Sequence, residues 1–344
     1  MTKTYLGIDL HKRSSVWTLL NQERKVLYEG NVSCTPEQVK DAIQRLPVKP
    51  EEVSVAVEPV CGWRWYTDIL EQSGMDVHVA NPYKTRLIAD SKLKNDRVDA
   101  KALAELLRAD YLPESYKAPE DINDLRMIVR HRAYLVRMRS GIKNRIHGIC
   151  TRKGLHLTAE NPMLKASMEN IEKGTEEEIK DLFVVMKELD SHIVLIEKRM
   201  SEISRNETIK LMMTMPGVGI ITGCSIYAEV GDFNRFASPN ALSSYAGIVP
   251  RQRSSGTSVK LGHITKVGSK VLRYSLVEAS FRIRDVKKSK YLFSFYKKLV
   301  PKTGAKKARV ALARKMLVIL WHMVKNNTPY IDRTIESTQS VVIS

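Results

Sequence analysis

The sequence predicts an α/β domain followed by mainly helical domains, and two observations support this fold class, α/β plus α. Over residues 1–115, short β-branched and apolar runs alternate with segments of helical periodicity. After residue 116, the apolar periodicity is that of helices. A chain of 344 residues is also longer than a single hydrophobic core normally supports. We therefore expect three domains, over residues 1–115, 116–205 and 206–344.

The elements of the first domain follow from its apolar runs and its turn residues. Runs separated by polar turns predict three antiparallel strands, Lys3–Leu10, Ser14–Asn21 and Lys25–Val32. Thr35 and Pro36 mark the start of a helix. A strand, a helix, a strand and a helix then follow, at Val53–Val57, Trp63–Gln72, Asp76–Val79 and Asp99–Leu112. This order is that of the ribonuclease-H-like fold, which by itself specifies no activity.

The middle domain is predicted to be helical. Ile122–Lys153 predicts one long helix. In a second helix, the apolar residues from Ile179 to Ile203 alternate spacings of three and four, as in the seam of a coiled coil. The seam favours a self-associating or hairpin coiled coil, although a helix packed inside its own domain can carry the same stripe.

The last domain, from about Asn206, is predicted to be mainly helical. Its first feature resembles the hairpin of a helix-hairpin-helix element, Pro216-Gly217-Val218-Gly219. Such a hairpin presents backbone N–H groups to a phosphate. Further helices are predicted over residues 220–230, 239–246, 269–284 and 306–325.

The charge of the chain favours a polyanionic partner. Lys and Arg number 56 against 38 acidic residues, which gives a net charge of +18. From Leu125 to Ala159 there is no Asp or Glu, and a one-signed helical stretch is typical of a surface that contacts phosphates. The predicted nucleic-acid-binding residues of this stretch are Arg126, Arg130, Arg137, Lys143 and Arg145.

Composition also argues against several other classes of protein. No apolar run approaches the ~18 residues that span a bilayer, and the N-terminus lacks the apolar stretch of a secretory signal. The four cysteines are scattered singly, which argues against a disulfide framework or a structural zinc site. We expect a cytoplasmic, nucleoid-associated protein.

Four carboxylates are candidate metal ligands. Asp9 lies at the end of the first predicted strand and Glu58 just past the fourth, so both side chains are expected at one edge of the sheet. Asp96 and Asp99 are three residues apart and share a face if both are helical. Hard oxygen ligands select Mg²⁺ or Mn²⁺, and two such ions can hold the attacking and leaving oxygens of a phosphoryl transfer. Taken singly, Glu58 can face solvent, and Asp96 can be a helix N-cap.

A second candidate site is a Ser-Ser-Gly turn surrounded by cations. Ser254 and Ser255 precede Gly256, within the segment from Tyr245 to Arg273. The predicted nucleic-acid-binding cations of this segment are Arg251, Arg253, Lys266 and Arg273. They can neutralise a phosphate and stabilise charge in its transition state. On these residues alone, a loop that only binds DNA is the first interpretation and a serine nucleophile the second.

Together these motifs resemble the DEDD-type transposases of insertion sequences, the IS110 family, which are related to the pilin-gene inversion recombinases. The resemblance covers essentially the whole chain. In the first domain it is carried by Gly-Ile-Asp, Glu-Pro and Asp-x-x-Asp, which end at Asp9, Pro59 and Asp99. In the last domain it is carried by Met215–Gly219, Gly231–Phe236, Gly247–Pro250, Ser255-Gly256, Lys266-x-Gly268 and Leu272-Arg273.

The resemblance implies a RuvC-like N-terminal domain and a C-terminal transposase domain with a catalytic serine. It implies that Asp9, Glu58, Asp96 and Asp99 bind Mg²⁺ and that Ser255, with Ser254 as runner-up, forms a covalent 5′-phosphoserine bond with DNA. It also implies donor and target double-stranded DNA as partners, a structured non-coding guide RNA (the bridge RNA), and assembly as dimers of dimers.

Two other functions are compatible with the same residues. The chain can be a structure-selective nuclease of the Holliday-junction-resolvase type, in which metal-activated water cuts and the C-terminal domain only binds. It can also be a non-catalytic nucleic-acid-binding protein. The chemistry of the DNA ends separates these interpretations, since a recombinase of this kind leaves a protein–DNA adduct and a nuclease leaves free 5′-phosphates.

Overall fold

The computed structural model describes residues 3–60, 62–88, 96–154, 177–255, 258–284 and 287–332, and for residues 253–261 only the backbone of the strands. The chain divides into two compact units, Met1–Lys117 and Ala118–Ser344. The division into three domains stays a prediction. Among the described residues, no helix is both long and apolar enough to cross a membrane.

The N-terminal unit contains a five-stranded mixed sheet. Its strands are β1 (Thr4–Leu10), β2 (Ser14–Leu20), β3 (Val26–Ser33), β4 (Val53–Val57) and β5 (Asp76–Val79), in the order β3-β2-β1-β4-β5. β1, β2 and β3 pair antiparallel, whereas β4 pairs parallel with β1 and with β5. The mixed α/β fold is confirmed, and the strand order is consistent with a ribonuclease-H-like domain.

Each face of β1 packs against different helices. Leu6, Ile8 and Leu10 are buried in a core with residues of α1 (Pro36–Gln44) and α2 (Trp63–Gln72). α1 starts where the sequence predicts, because the hydroxyl of Thr35 accepts a hydrogen bond from the Gln38 amide. The alternation of a strand turns the residues between them, including Gly7 and Asp9, to the opposite face.

The remaining helices of this unit are α3 (Pro82–Ile88) and α4 (Asp96–Arg108). α3 was not predicted, although Asn81 and Pro82 carry a start signal: the Asn81 side chain accepts a hydrogen bond from the Lys84 amide. α4 begins at least three residues earlier than predicted, at Asp96 instead of Asp99. Both acidic residues of the Asp-x-x-Asp motif therefore lie in its first turn.

The C-terminal unit opens with two long helices that pack together. They are α5 (Glu120–Arg152) and α6 (Glu177–Ile203). Ile179 and Met186 of the predicted seam are buried against Ile146 and Ile149 of α5. The seam is therefore packed within the chain, and a coiled coil between chains stays a prediction.

The rest of this unit is a helical core that carries one β-hairpin. The helices are α7 (Glu207–Met213), α8 (Ile220–Val230), α9 (Pro239–Tyr245), α10 (Lys270–Phe281), α11 (Lys290–Thr303) and α12 (Ala305–Asn326). α12 contributes much of the core, with Leu312, Met316 and Leu320 fully buried. The hairpin consists of β6 (Pro250–Ser255) and β7 (Ser258–Ile264), which the sequence reasoning did not anticipate.

The turn between α7 and α8 is where a helix-hairpin-helix element was predicted. Gly217 in this turn has φ +88°, and a Cβ there would lie 2.5 Å from the carbonyl oxygen of Ala279 in α10. This glycine is therefore required both by the left-handed backbone and by close packing. Whether the turn also binds phosphate stays a prediction.

Candidate metal centre and nucleic-acid interface

The position of α4 over β1 depends on Gly7. A Cβ at Gly7 would lie 1.9 Å from the carbonyl oxygen of Ala100 and 2.7 Å from the amide nitrogen of Ala104. No side chain fits there, so the helix and the strand meet backbone to backbone. Because Asp9 is two residues further along the same strand face, its carboxylate lies beneath the first turn of α4.

Glu58 enters the site from the neighbouring strand. Its amide donates a hydrogen bond to the carbonyl oxygen of Ile8 at 3.3 Å, which continues the parallel pairing of β1 and β4 by one residue. The side chain is half-buried. The placement of Asp9 and Glu58 at adjacent strand ends is the one expected from the sequence.

His11 joins the carboxylates, and the sequence reasoning missed this role. Its Nε2 lies 3.2 Å from Oδ2 of Asp9 and 3.3 Å from Oδ2 of Asp96. One ligand atom from each of Asp9, His11 and Asp96 lies within 4.8 Å of the others, as in a group that can hold a metal ion. The signal was present, because His11 follows Asp9 by two residues at the end of an apolar strand.

The electrostatics of the site connect all four predicted acids. Burial raises the pKa of Asp9 to about 6; His11 opposes this shift, and the carboxylates of Asp96, Asp99 and Glu58 add to it. The pKa of Glu58 is also raised, first by burial and then by Asp99, against the effect of His11. The structure thus brings the other three carboxylates near enough to disfavour the ionisation of Asp9.

This donor set fits a divalent cation. Carboxylate oxygens are hard ligands, and a bound cation would remove both the desolvation cost of Asp9 and the repulsion within the cluster. His11 offers a nitrogen as well, which Mn²⁺ accepts more readily than Mg²⁺ does. The chemistry of the residues therefore fits a divalent metal without specifying which one.

The acid-free part of α5, from Leu125 onward, has acidic partners elsewhere in its unit. Arg130 donates to both carboxylate oxygens of Glu229, at 2.8 and 3.0 Å, and Glu229 is only 1% exposed. Arg126 donates to the carbonyl oxygen of Ala228 at 2.9 Å, and Arg145 pairs with Glu178 of α6. These three predicted nucleic-acid-binding residues thus have contacts within the chain, and their nucleic-acid role stays a prediction.

The other two predicted residues of α5 differ in exposure. The guanidinium of Arg137 lies 5.6 Å from the ring centroid of Tyr134, and both side chains are exposed. Lys143 is half-buried. An exposed cation beside an exposed aromatic ring is a combination that can contact a phosphate and a base together.

The base of the β6–β7 hairpin is held by two glycines. Gly247 has φ +68°, and a Cβ there would lie 2.0 Å from the carbonyl oxygen of Val267. Gly268 has φ +83°, and its Cβ would lie 2.0 Å from the carbonyl oxygen of Tyr245. The glycines of the two motifs therefore allow the segments before and after the hairpin to pack backbone to backbone.

Arg273, predicted to contact nucleic acid, ties the same segments together. Its Nη1 donates to the carbonyl oxygens of Ala246, Val267 and Gly268 at 3.0–3.1 Å. These bonds position the hairpin base. A direct contact between Arg273 and nucleic acid stays a prediction.

The remaining predicted residues of this segment lie along the hairpin and just after it. Ser255 is the last residue of β6, and its backbone pairs with Ser258. The side chains of Arg253, Ser254 and Ser255, and all of Gly256, lie outside the described residues. Arg251 and Lys266 are exposed, and Lys266 has φ +57°.

Comparison with known proteins decides the family. A family model described as a transposase, of the DEDD type of IS110 elements, matches residues 6–153. A second, described as the transposase IS116/IS110/IS902 family, matches residues 209–297. The chain belongs to the IS110 family of transposases. It is a transposase enzyme, which cleaves and rejoins DNA.

Two insertion-sequence transposases match the chain over most of its length, and a pilin gene-inverting protein matches about a third of it. The transposase for insertion sequence element IS1111A of Coxiella burnetii is 29% identical, over 94% of this chain and 90% of its own. The transposase for insertion sequence element IS1328 of Yersinia enterocolitica is 25% identical, over 95% of this chain and 98% of its own. A pilin gene-inverting protein of Moraxella bovis is 32% identical, over 37% of this chain and 40% of its own.

Each of the two family matches covers a different candidate site of the transposase. The first match includes the acidic cluster and α5, and the second includes the hairpin and α10. α12 lies beyond both matches. The family matches therefore assign no role to the surface of α12.

Proposed function

We propose that this transposase exchanges strands between donor and target DNA, with metal-binding carboxylates and a serine nucleophile, under the guidance of a structured non-coding RNA. The observation that carries the proposal is the convergence of Asp9, Glu58, Asp96 and Asp99, with a pKa of about 6 for Asp9. A cluster this acidic is unfavourable unless a cation binds it.

The carboxylates and His11 would hold Mg²⁺ or Mn²⁺. When bound, the ion supplies positive charge to the attacking and leaving oxygens of a phosphoryl transfer. Asp9 would bind it as the carboxylate, the form that prevails above its pKa of about 6. Glu58, Asp96 and Asp99 complete the acidic side of the site, and Gly7 keeps α4 close enough for them to do so.

Ser255 is the proposed nucleophile. Its Oγ forms a bond to the phosphorus while the bond from phosphorus to the 3′-oxygen breaks, which leaves a 5′-phosphoserine and a free 3′-hydroxyl. The serine proton passes to a base, and the leaving oxygen takes up a proton. Attack of a 3′-hydroxyl from the other DNA on the phosphoserine rejoins the strand and releases the serine. Support comes from the family resemblance and from the position of Ser255 at the end of β6.

The nucleic-acid partners follow from charge and from the family. The net charge of +18 favours polyanions, and the exposed Arg137 and Arg251 are suitable contacts. The proposed contacts are those predicted from the sequence: Arg126, Arg130, Arg137, Lys143, Arg145, Arg251, Arg253, Lys266 and Arg273. The guide RNA and the assembly into dimers or tetramers rest on the family resemblance, whereas the location in the cytoplasm at the nucleoid rests on the composition of the chain. Exchanging the loops of the RNA should redirect strand exchange to the matching DNA.

The test of the serine is a covalent adduct with a 5′-labelled element end, trapped by denaturation in the presence of Mn²⁺. Ser255→Ala should abolish the adduct and leave DNA binding within about twofold. Ser254→Ala is the matched control and should retain it. An adduct that persists in Ser255→Ala but not in Ser254→Ala moves the nucleophile by one residue. Free 5′-phosphates without any adduct would instead support a junction-resolving nuclease that uses water.

A further inference from the structure

A groove in the C-terminal unit lies between the base of the β6–β7 hairpin and the first turns of α12. Its volume is about 580 Å³, which lies within the ~300–1,000 Å³ typical of ligand sites. The hairpin side consists of Ile248, Pro250, Gly262, His263 and Ile264, and the α12 side of Lys306, Lys307, Val310, Ala311 and Arg314. None of the cations among them was predicted as a binding residue.

The charge of this groove is positive. Lys306, Lys307 and Arg314 line it together with His263, and no acidic side chain is among the described residues that do so. Arg314 donates to the amide oxygen of Asn240 at 3.2 Å, a neutral partner that leaves its charge uncompensated there. A concave surface with several convergent cations selects an anionic ligand.

The two lysines also lie at the end of α12 where the helix dipole disfavours positive charge. Lys306 and Lys307 lie in the first turn of the 22-residue α12, which contains no acidic residue. Positive charge is unfavourable at this end of a helix. A bound anion would offset this repulsion, which supports the same ligand class as the lining of the groove.

The hairpin wall of the groove is mainly apolar apart from His263. Ile248, Pro250 and Ile264 carry no hydrogen-bonding side-chain group. A free inorganic anion would gain nothing from this wall, whereas the sugar carbons of a nucleic-acid backbone can pack on it. Cations on one side and an apolar surface on the other therefore fit a sugar-phosphate chain.

The position of the groove along the hairpin, relative to Ser255, indicates which sugar-phosphate chain it binds. Pro250, the first residue of β6, lines the groove, and Ser255 is the last residue of the same strand. Five residue steps of a strand span ~17 Å, which corresponds to about five steps of duplex DNA at ~3.4 Å each. We propose that the groove binds phosphates of the DNA strand that Ser255 attacks, up to about five nucleotides from the attacked phosphate. The identity of that strand rests on the proposed function of Ser255.

The binding test compares two pairs of lysines in the full-length transposase. The groove variant is Lys306→Gln with Lys307→Gln. The control is Lys298→Gln with Lys325→Gln, two exposed lysines outside the groove, which removes the same net charge. Affinity for a 40-bp element end is measured by fluorescence anisotropy from 50 to 300 mM NaCl in EDTA, so that no cleavage occurs.

The groove variant should bind the duplex at least about tenfold more weakly at 100 mM NaCl. The magnitude of its slope of log affinity against log salt should fall by about 0.9 for each phosphate that the variant no longer neutralises. The control should stay within twofold. Equal losses in both variants would mean a general charge effect and would overturn the proposal, as would a loss confined to an RNA hairpin of the same length. Matched melting curves verify that both variants are folded.

The position of the phosphates in the groove is tested by neutral methylphosphonates, placed singly at the ten phosphates on each side of the element end. At one or two positions, the methylphosphonate should lower the affinity of wild type about three- to tenfold. At the same positions it should not lower the affinity of the groove variant any further. The absence of any such coupling would overturn the groove site. Because this assay needs no cleavage, it stays valid if the adduct test moves the nucleophile away from Ser255. Only the stated distance between the groove and the attacked phosphate would then no longer hold.

Discussion

At the scale of single residues, Asp9 shows how the site costs stability. The side chain is almost fully buried, and its neighbours include three other carboxylates. Burial without a matching cation disfavours the ionised form. His11 lies 3.2 Å from Asp9 and offsets this cost only when its imidazole carries a proton. The metal-free transposase therefore carries an unfavourable charge at the point where the chemistry requires one.

This cost predicts a pH-dependent effect of Asp9→Asn. The folded-state pKa of about 6 lies above the ordinary value of 3.8, so between these pH values the unfolded chain has lost a proton that the folded chain keeps. Stability should therefore fall as pH rises from about 4 to 6, and Asn removes this fall. In EDTA at pH 7.5 the variant should be more stable than wild type by up to about 3 kcal/mol, with little difference at pH 4.

The measurement is thermal unfolding followed by tryptophan fluorescence at both pH values. Asp41→Asn, in α1 and outside the cluster, is the control and should behave like wild type at each. The stability difference between Asp9→Asn and wild type should be larger at pH 7.5 than at pH 4. An equal difference at both pH values would mean that the acid cluster does not destabilise the fold in this way.

At the scale of elements, the sequence predicted the strands of the sheet better than it predicted the ion pairs of the charged residues. The strands follow from local apolar runs, which a single sequence shows directly. The adjacent strand-end positions of Asp9 and Glu58 follow from the ribonuclease-H-like order of those elements. The ion pairs of α5 do not, because Glu178 and Glu229 lie 33 and 99 residues from their arginine partners. A run that is one-signed along the chain is thus partly neutralised in space. The local spacing of Asp9 and His11 was visible in the sequence, but the contact of His11 with Asp96 was not, since it depends on the close approach of α4 at Gly7.

The pairing of α5 with α8 predicts a strong effect of Arg130→Met. Glu229 is buried, so removal of Arg130 leaves a buried carboxylate unpaired, at a cost of about 3–5 kcal/mol. Adding Glu229→Gln should restore much of this loss, because the neutral amide is far less costly to bury. The free energy of unfolding is measured in urea by the fluorescence of Trp321, the one tryptophan of the C-terminal unit.

Arg145→Met is the matched control for this cycle. Both side chains of the Arg145–Glu178 pair are about half exposed, so its loss should cost less than about 1 kcal/mol. Equal effects at Arg130 and Arg145 would mean that Glu229 tolerates its burial without the guanidinium. In that case the ion pair would cost little to break, and Arg130, whose side chain is 53% exposed, would be available to nucleic acid.

At the scale of the whole molecule, the two compact units carry different chemistry. Met1–Lys117 contains the acidic cluster, and Ala118–Ser344 contains the hairpin that ends at Ser255 together with the cationic groove. A ligand that binds only the folded state stabilises the structure that holds it, by about 2.7 kcal/mol at one hundred times its Kd. Metal binding should therefore be localised within the chain.

Hydrogen exchange measured by mass spectrometry, with and without Mn²⁺, tests this localisation. The ion should slow exchange in peptides that contain the end of β1, the residues after β4 and the first turn of α4. Peptides of the hairpin and of α12 should be unchanged, because no carboxylate cluster is among their described residues. Asp9→Asn should remove the protection, whereas Asp190→Asn in α6 should leave it intact. Protection that survives Asp9→Asn, or that is as strong in the C-terminal unit, would place the metal elsewhere and would remove the acidic cluster from the proposed chemistry.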